Sequence, residues 1–254
     1  MINTILDKRV RNYFARMTES DFISMLSKNE YKPKRMAVKN YMTDKNIEEM
    51  NKRNYVLEDF TEVCAFNIDM TGSLPTPDQY AKYKFNYIVK KLKKDGVNIT
   101  DEVKGALYNR RVNGYVSYMN EEHTKCILKR LLPPEYEIMT DSETDQYKGV
   151  DIIIINKETN KQYYIHITSN TTSAIKYAKE KETRGQNRDF SGHIWLCYDK
   201  LEWDKSINNY KEFNSRTATI MNGYYLFNVT FLGELAKDII QGDVSEWGLN
   251  KYIG

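Results

Sequence analysis

Apolar and polar positions change rhythm part-way along the chain. Over the first 60 residues the pattern is of short helices broken by polar turns: Thr18 to Asp21 form a capping stretch before an apolar cluster around Phe22 and Leu26, and Pro33 ends that helix. Gly72 to Asp78 form the clearest break, with Pro75 and Pro77 in a helix-start signature. From 79 to 94, Tyr80, Tyr83, Tyr87, Ile88 and Leu92 recur at helical spacing. Two more helices are expected over 101–113 and 116–132, the second stopping at Pro133-Pro134. Thereafter the period shortens. Strands are expected over 136–139, 150–155 and 162–168, with 156–161 as a hairpin-type connection between the last two. Ser169 to Thr172 cap a helix reaching Thr183. A strand over 193–198, another over 224–228, and a helix over 232–240 with Gly242 beyond its end complete the chain. Consecutive isoleucines from 152 to 155 call for cover on both faces, as in a central strand between helical layers.

Composition narrows the class without naming a chemistry. The chain has 254 residues, 41% apolar and 29% charged, with a net charge of +3. No apolar run approaches the roughly 20 residues that cross a bilayer, and the N-terminus becomes charged too early for a secretory signal. A cytoplasmic protein with no membrane partner is therefore expected. Cys64, Cys126 and Cys197 lie far apart, which argues against a disulfide framework or a cysteine zinc site. The wealth of Tyr, Lys, Asn and Ile follows from A/T-rich coding and points to a bacterial or phage source.

Charge is unevenly shared. Residues 1–120 carry 21 Lys and Arg against 15 Asp and Glu, a balance of +6, while the remainder carries 17 against 20, a balance of −3. This division suits a nucleic-acid enzyme whose acids gather at a metal. Lys90, Lys91, Lys93 and Lys94 decorate one helix end, where cations also offset the helix dipole, and with Arg110, Arg111, Arg184 and Arg188 they are the candidate phosphate contacts. No phosphate loop, dinucleotide fingerprint, nucleophile elbow or HExxH motif is present.

Four side chains stand out between positions 121 and 168. Asp151 places a carboxylate at the mouth of a buried strand, where it caps a turn or binds a hard cation. His166 and Thr168, two apart on a strand, share one face. On the helix before them, Glu121 falls over the apolar stripe of Ile127, Leu128, Leu131 and Leu132, while Glu122 falls well off it and is expected in solvent.

A helix acid (Glu121), a strand acid after a short turn (Lys148-Gly149-Val150-Asp151) and a strand with two spaced polar residues (His166-Ile167-Thr168) resemble the PD-(D/E)XK nuclease superfamily. The order of elements from about 118 to 200 is similar to its αβββαβ core, and 14 residues separate Asp151 from His166. The resemblance implies an α/β, restriction-endonuclease-like core over 116–254, a mixed sheet flanked by helices, with a mostly helical, basic region over 1–115. It implies a metal-dependent endonuclease of restriction, phage or mobile-element type. Mg²⁺ or Mn²⁺ would be held by Glu121, Asp151 and His166, with the Ile167 carbonyl able to complete the shell. DNA is the expected substrate ahead of RNA. Whether the protein forms a homodimer to cut two strands stays open. The sequence departs from the family pattern in three places. Val150 replaces the proline before the aspartate, His166 stands where the third motif has an acid, and Thr168 stands where it has lysine. Threonine supplies no positive charge, so Lys176 on the next helix is the candidate replacement. A catalytically inactive nuclease-like protein that binds DNA or a protein partner is the close alternative, and an unrelated α/β fold the distant one.

Overall fold

The structure is a computed structural model that describes residues 74–94, 96, 101–139, 150–183, 192–198, 203–204, 209–210, 216–221 and 224–249. The short helices expected in the first 60 residues, with their cap at Thr18, lie outside the described residues, as do Arg184 and Arg188. The chain divides into two compact units at Tyr118/Met119. Among the described residues no helix is long and apolar enough to cross a membrane.

In the first unit, helix α1 (Pro77–Lys94) starts on a reciprocal cap. Thr76 N–H donates to Gln79 Oε1 at 2.8 Å and Gln79 N–H donates back to Thr76 Oγ1 at 3.2 Å. Two otherwise orphaned amides are thereby satisfied, with Pro77 at the position that needs none. Tyr80 packs its ring against Tyr115 and Tyr118, at centroid distances of 5.4 and 5.9 Å. The Tyr115 hydroxyl donates to the Pro75 carbonyl and the Tyr108 hydroxyl to Asp78. Burial and the adjacent Asp78 push the Tyr108 hydroxyl up to about 12. Tyr83, counted in the apolar stripe by its spacing, is 45% exposed.

Helix α2 (Asp101–Leu131) is one continuous element of 31 residues where two were expected. Gly114 lies inside it. A helical glycine costs about 1 kcal/mol relative to alanine but leaves every backbone hydrogen bond in place, so it does not end the helix.

The second unit is a mixed α/β arrangement built on four strands in spatial order β1 (Tyr136–Met139), β2 (Ile152–Asn156), β3 (Gln162–Ser169) and β4 (His193–Tyr198). The first two pairings are antiparallel and the third is parallel. The β2–β3 hairpin is closed by Asn156, whose side-chain oxygen accepts from the amides of Glu158 and Thr159, and by Asn160 in the left-handed region (φ 56°). Helix α3 (Thr172–Thr183) returns the chain to β4, capped by Thr171, whose hydroxyl accepts from the Ala174 amide at 3.3 Å. Short pairs follow at β5 (Trp203–Asp204) with β6 (Asn209–Tyr210), and at β7 (Ala218–Met221) with β8 (Tyr224–Phe227). Helix α4 (Val229–Gln241) starts on Asn228, which accepts from the Phe231 amide, and ends on Gly242 (φ 80°). The Asp243 and Gly242 amides close onto Asp238 and Ile239 carbonyls, the expected glycine stop.

Strand alternation separates two cores. Ile152, Ile154, Tyr163, Ile165, Ile167, Ile194 and Leu196 belong to one cluster with Ile127 and Leu128 of α2 and with Phe231, Leu232, Leu235 and Ile239 of α4. Trp195, on the opposite face, packs with Ile175 and Ala178 of α3 and with Leu249. Helices therefore flank both faces, and the Ile152–Ile154 run is buried throughout.

Gly192 opens β4 at φ 100°, and its carbonyl accepts from Tyr164 N–H at 2.8 Å. A Cβ there would stand 2.7 Å from the Gln162 carbonyl oxygen, whereas one on Gly233 in α4 meets nothing within 4 Å. Gly192→Ala is expected to cost about 2–3 kcal/mol, and Gly233→Ala to add about 0.5–1 kcal/mol. Urea unfolding of the two variants beside the parent checks the pair of opposite signs.

Candidate functional site

The site begins with how β3 distributes its amides. Tyr164 N–H donates to Gly192 and Asn170 N–H to Tyr198, so even-numbered amides serve β4 and odd-numbered amides serve β2. Regular pairing with β2 ends at Ile152 opposite Ile165. One step further, the odd amide of Ile167 has no strand residue across from it. Asp151 fills that place: its Oδ2 accepts from Ile167 N–H at 2.5 Å, while its own N–H donates to the Ile165 carbonyl at 3.0 Å. The half-buried carboxylate thus extends the ladder by one rung, with a charge-assisted bond of the stronger kind.

His166 and Thr168 share a face, as alternation requires, and it is the face covered by α3. His166 is 2% exposed. Its ring stacks on Trp195 with centroids 4.3 Å apart, and its Nε2 lies 2.8 Å from His193 Nδ1. His193 stacks in turn on Tyr164 at 5.0 Å. Two imidazole nitrogens on one tetrahedral ion at about 2.05 Å would be about 3.3 Å apart, so this spacing is that of a hydrogen bond. One nitrogen must donate and the other must offer a lone pair. Thr168 is half-buried opposite Cys197 in the parallel register.

The acids of α2 exchange the roles expected of them. Glu122 is 4% exposed and paired with Lys125, whereas Glu121 is half-buried. The helix is enclosed on more than its sheet-facing stripe at this level, for Met119, Asn120, His123, Thr124 and Cys126 are buried too. Burial and the nearby Arg130 guanidinium push the His123 imidazole down to about 4. The two elements, α2 and β2, have similar rises over this stretch. Leu131 to Asn120 spans about 16 Å of helix, and Asn156 to Asp151 about 16 Å of strand. Lys176 is exposed, on the side of α3 turned away from Ile175 and Ala178.

Among the described residues, no group of three or more His, Cys, Asp or Glu side chains gathers closely enough to hold a metal ion. Glu121, Asp151 and His166 as they stand are therefore not a three-ligand set for Mg²⁺ or Mn²⁺. His166 is committed to Trp195 and His193, and Asp151 to a backbone amide. Of the basic candidates, Lys90, Lys93 and Lys94 are exposed on α1; Lys91 belongs to α1, and Arg110 and Arg111 to α2.

No family model, no curated protein and no solved structure matches this chain.

From the sequence, His193 at the start of a neighbouring strand could approach the site, but its direct contact with His166 was not foreseen. Sequence reasoning also passed over Asn120 and Thr124. Both are in phase with Ile127 and Leu131, and extending the helix stripe by one turn would have placed them on the packed face.

Two expectations follow. Asp151→Ala leaves the Ile167 amide without its acceptor and should cost about 1.5–3 kcal/mol, while Asp151→Asn keeps a side-chain oxygen and should cost less; guanidinium unfolding ranks the two. His123 carries the second. Its imidazole titrates near 6.5 when unfolded and near 4 when folded, so between those values the unfolded chain binds more protons. Stability should rise with pH across that window, by up to about 1.4 kcal/mol per unit, and be lost as pH falls through it. His123→Gln should flatten the slope in unfolding curves recorded from pH 7 to pH 4.

Proposed function

We propose that this chain is a nuclease-like α/β protein that binds nucleic acid without hydrolysing it. The observation that carries this reading is the burial of His166, which stands where the resemblance expects a reactive acid. Its ring is sandwiched by the sheet and α3, stacked on Trp195 and hydrogen-bonded to His193. A side chain held that way supports the sheet rather than a hydrated ion. The outward position of Lys176 and the threonine at 168 point in the same direction, since neither puts a cation beside Asp151.

Support for the nuclease-like scaffold comes from the order helix, three strands, helix, strand, paired antiparallel, antiparallel and parallel. Support for nucleic acid as the partner comes from the charge excess of the first 120 residues and the exposed lysines ending α1.

A second reading, a Mg²⁺-dependent endodeoxyribonuclease, is favoured by one feature. Asp151 is half-buried at the strand mouth, and Glu121 is half-buried on α2. Magnesium is often held by only one or two carboxylates, with water and phosphate completing its shell.

One experiment separates the readings. The protein is mixed with plasmid, single-stranded DNA and RNA, with and without Mg²⁺ or Mn²⁺, beside Asp151→Ala and a Lys90/Lys93/Lys94 triple alanine variant. The expected result is salt-sensitive gel retardation, intact nucleic acid, no change with Asp151→Ala, and affinity about tenfold weaker for the triple variant. Metal-dependent cleavage lost in Asp151→Ala would establish the second reading instead. Failure to retard any nucleic acid would remove the proposed partner.

A further inference from the structure

Asn120 and Thr124 are both 0% exposed on α2. Asn120 Nδ2, Asn120 Oδ1 and Thr124 Oγ1 have no hydrogen-bond partner among the described residues. Three such atoms on two neighbouring side chains are unusual, because buried polar atoms are nearly always satisfied by protein or by ordered water. Their position makes it more so. Asn120, Thr124, Ile127 and Leu131 follow one another at helical spacing along a single stripe, and Ile127 is part of the core cluster that includes Ile152 and Ile165.

Side chains four apart on a helix stand about 5–6 Å from each other at Cβ, close to the span of two hydrogen bonds meeting at one oxygen. Between them, the pair offers amide N–H donors, a carbonyl acceptor and a hydroxyl that does both. Neither side chain is charged, so nothing here recommends an ion. Complete burial leaves no open approach for a larger solute.

We infer that this turn of α2 is a binding site for an internal water molecule, which accepts from the Asn120 amide and bridges to the Thr124 hydroxyl. A buried water typically has about three polar partners, and these two side chains supply them. The site is independent of whether the Asp151 corner cuts, binds or does neither.

A crystal structure of the full chain at high resolution tests the inference directly. A solvent oxygen is expected within about 3.2 Å of both an Asn120 amide atom and Thr124 Oγ1. A dry gap, or a direct Asn120–Thr124 hydrogen bond, would overturn the inference. Thermal unfolding of Thr124→Val, Asn120→Leu and the double variant tests it energetically. Either substitution removes the bridge, so each should lower the midpoint by roughly 2–4 °C and the double variant by little more than one of them alone. Midpoints that rise, or losses that simply add, would overturn the bridge. If Asn120→Leu does not fold, the near-isosteric Thr124→Val and the parent crystal structure still decide.

Discussion

β3 is the strand on which the second unit depends, because both of its edges and both of its faces are in use. Its even amides bond to β4 and its odd amides to β2, until β2 ends one position too early. An amide facing a neighbouring strand that has run out is costly to bury. Asp151 meets that need with a side chain where the backbone no longer reaches. A charge at the mouth of an isoleucine run thus has a structural cause that requires nothing beyond the protein itself. Any chemistry assigned to Asp151 has to be compatible with a carboxylate oxygen already committed to Ile167.

The face of β3 under α3 raises a harder problem. Tyr164, His166 and Thr168 point toward a helix that offers mainly Ile175 and Ala178 in return. A single buried imidazole there would have polar nitrogens to satisfy in apolar surroundings. Parallel pairing with β4 solves this by register. Tyr164 lies beside His193 and His166 beside Trp195, so rings stack across the strands while the two histidines hydrogen-bond along the diagonal. The stack fills the space under α3 with flat side chains, and the hydrogen bond orients two of them. His166 is then a packing residue with a polar tip. That is why its resemblance to a metal-site position carries less weight than its letter in the motif suggests.

How much of this was legible in the sequence varied with the length of the signal. The isoleucine run, the hairpin after it and the glycine stop at Gly242 were readable because several residues agreed on each. Alternation along 162–168 correctly put His166 and Thr168 on one face, yet could not say that the face would be covered by α3. Two helices, over 101–113 and 116–132, were expected where α2 is one, because propensity is local, whereas the continuity of α2 is decided by packing along its length. The exchange between Glu121 and Glu122 has a similar origin. A helical wheel anchored on Ile127 and Leu128 assumes one buried face, and α2 near Glu122 is enclosed on more than one. The strand expected over 224–228 is β8, but its partner β7 and the pair β5–β6 involve two to four residues per strand, too few for a period to show.

The same enclosure explains why α2 accumulates polar residues where apolar ones would pack more simply. From Met119 to Leu128 the helix buries Asn120, Glu122, His123 and Thr124 together. Each needs a separate remedy: Lys125 for Glu122, a depressed pKa that keeps His123 neutral, and a shared partner for the other two. Natural chains tend to keep such residues where a purely apolar replacement would lose something other than stability. The Asn156 hairpin, by contrast, answers the amides of Glu158, Thr159 and Lys161 with side chains of its own loop.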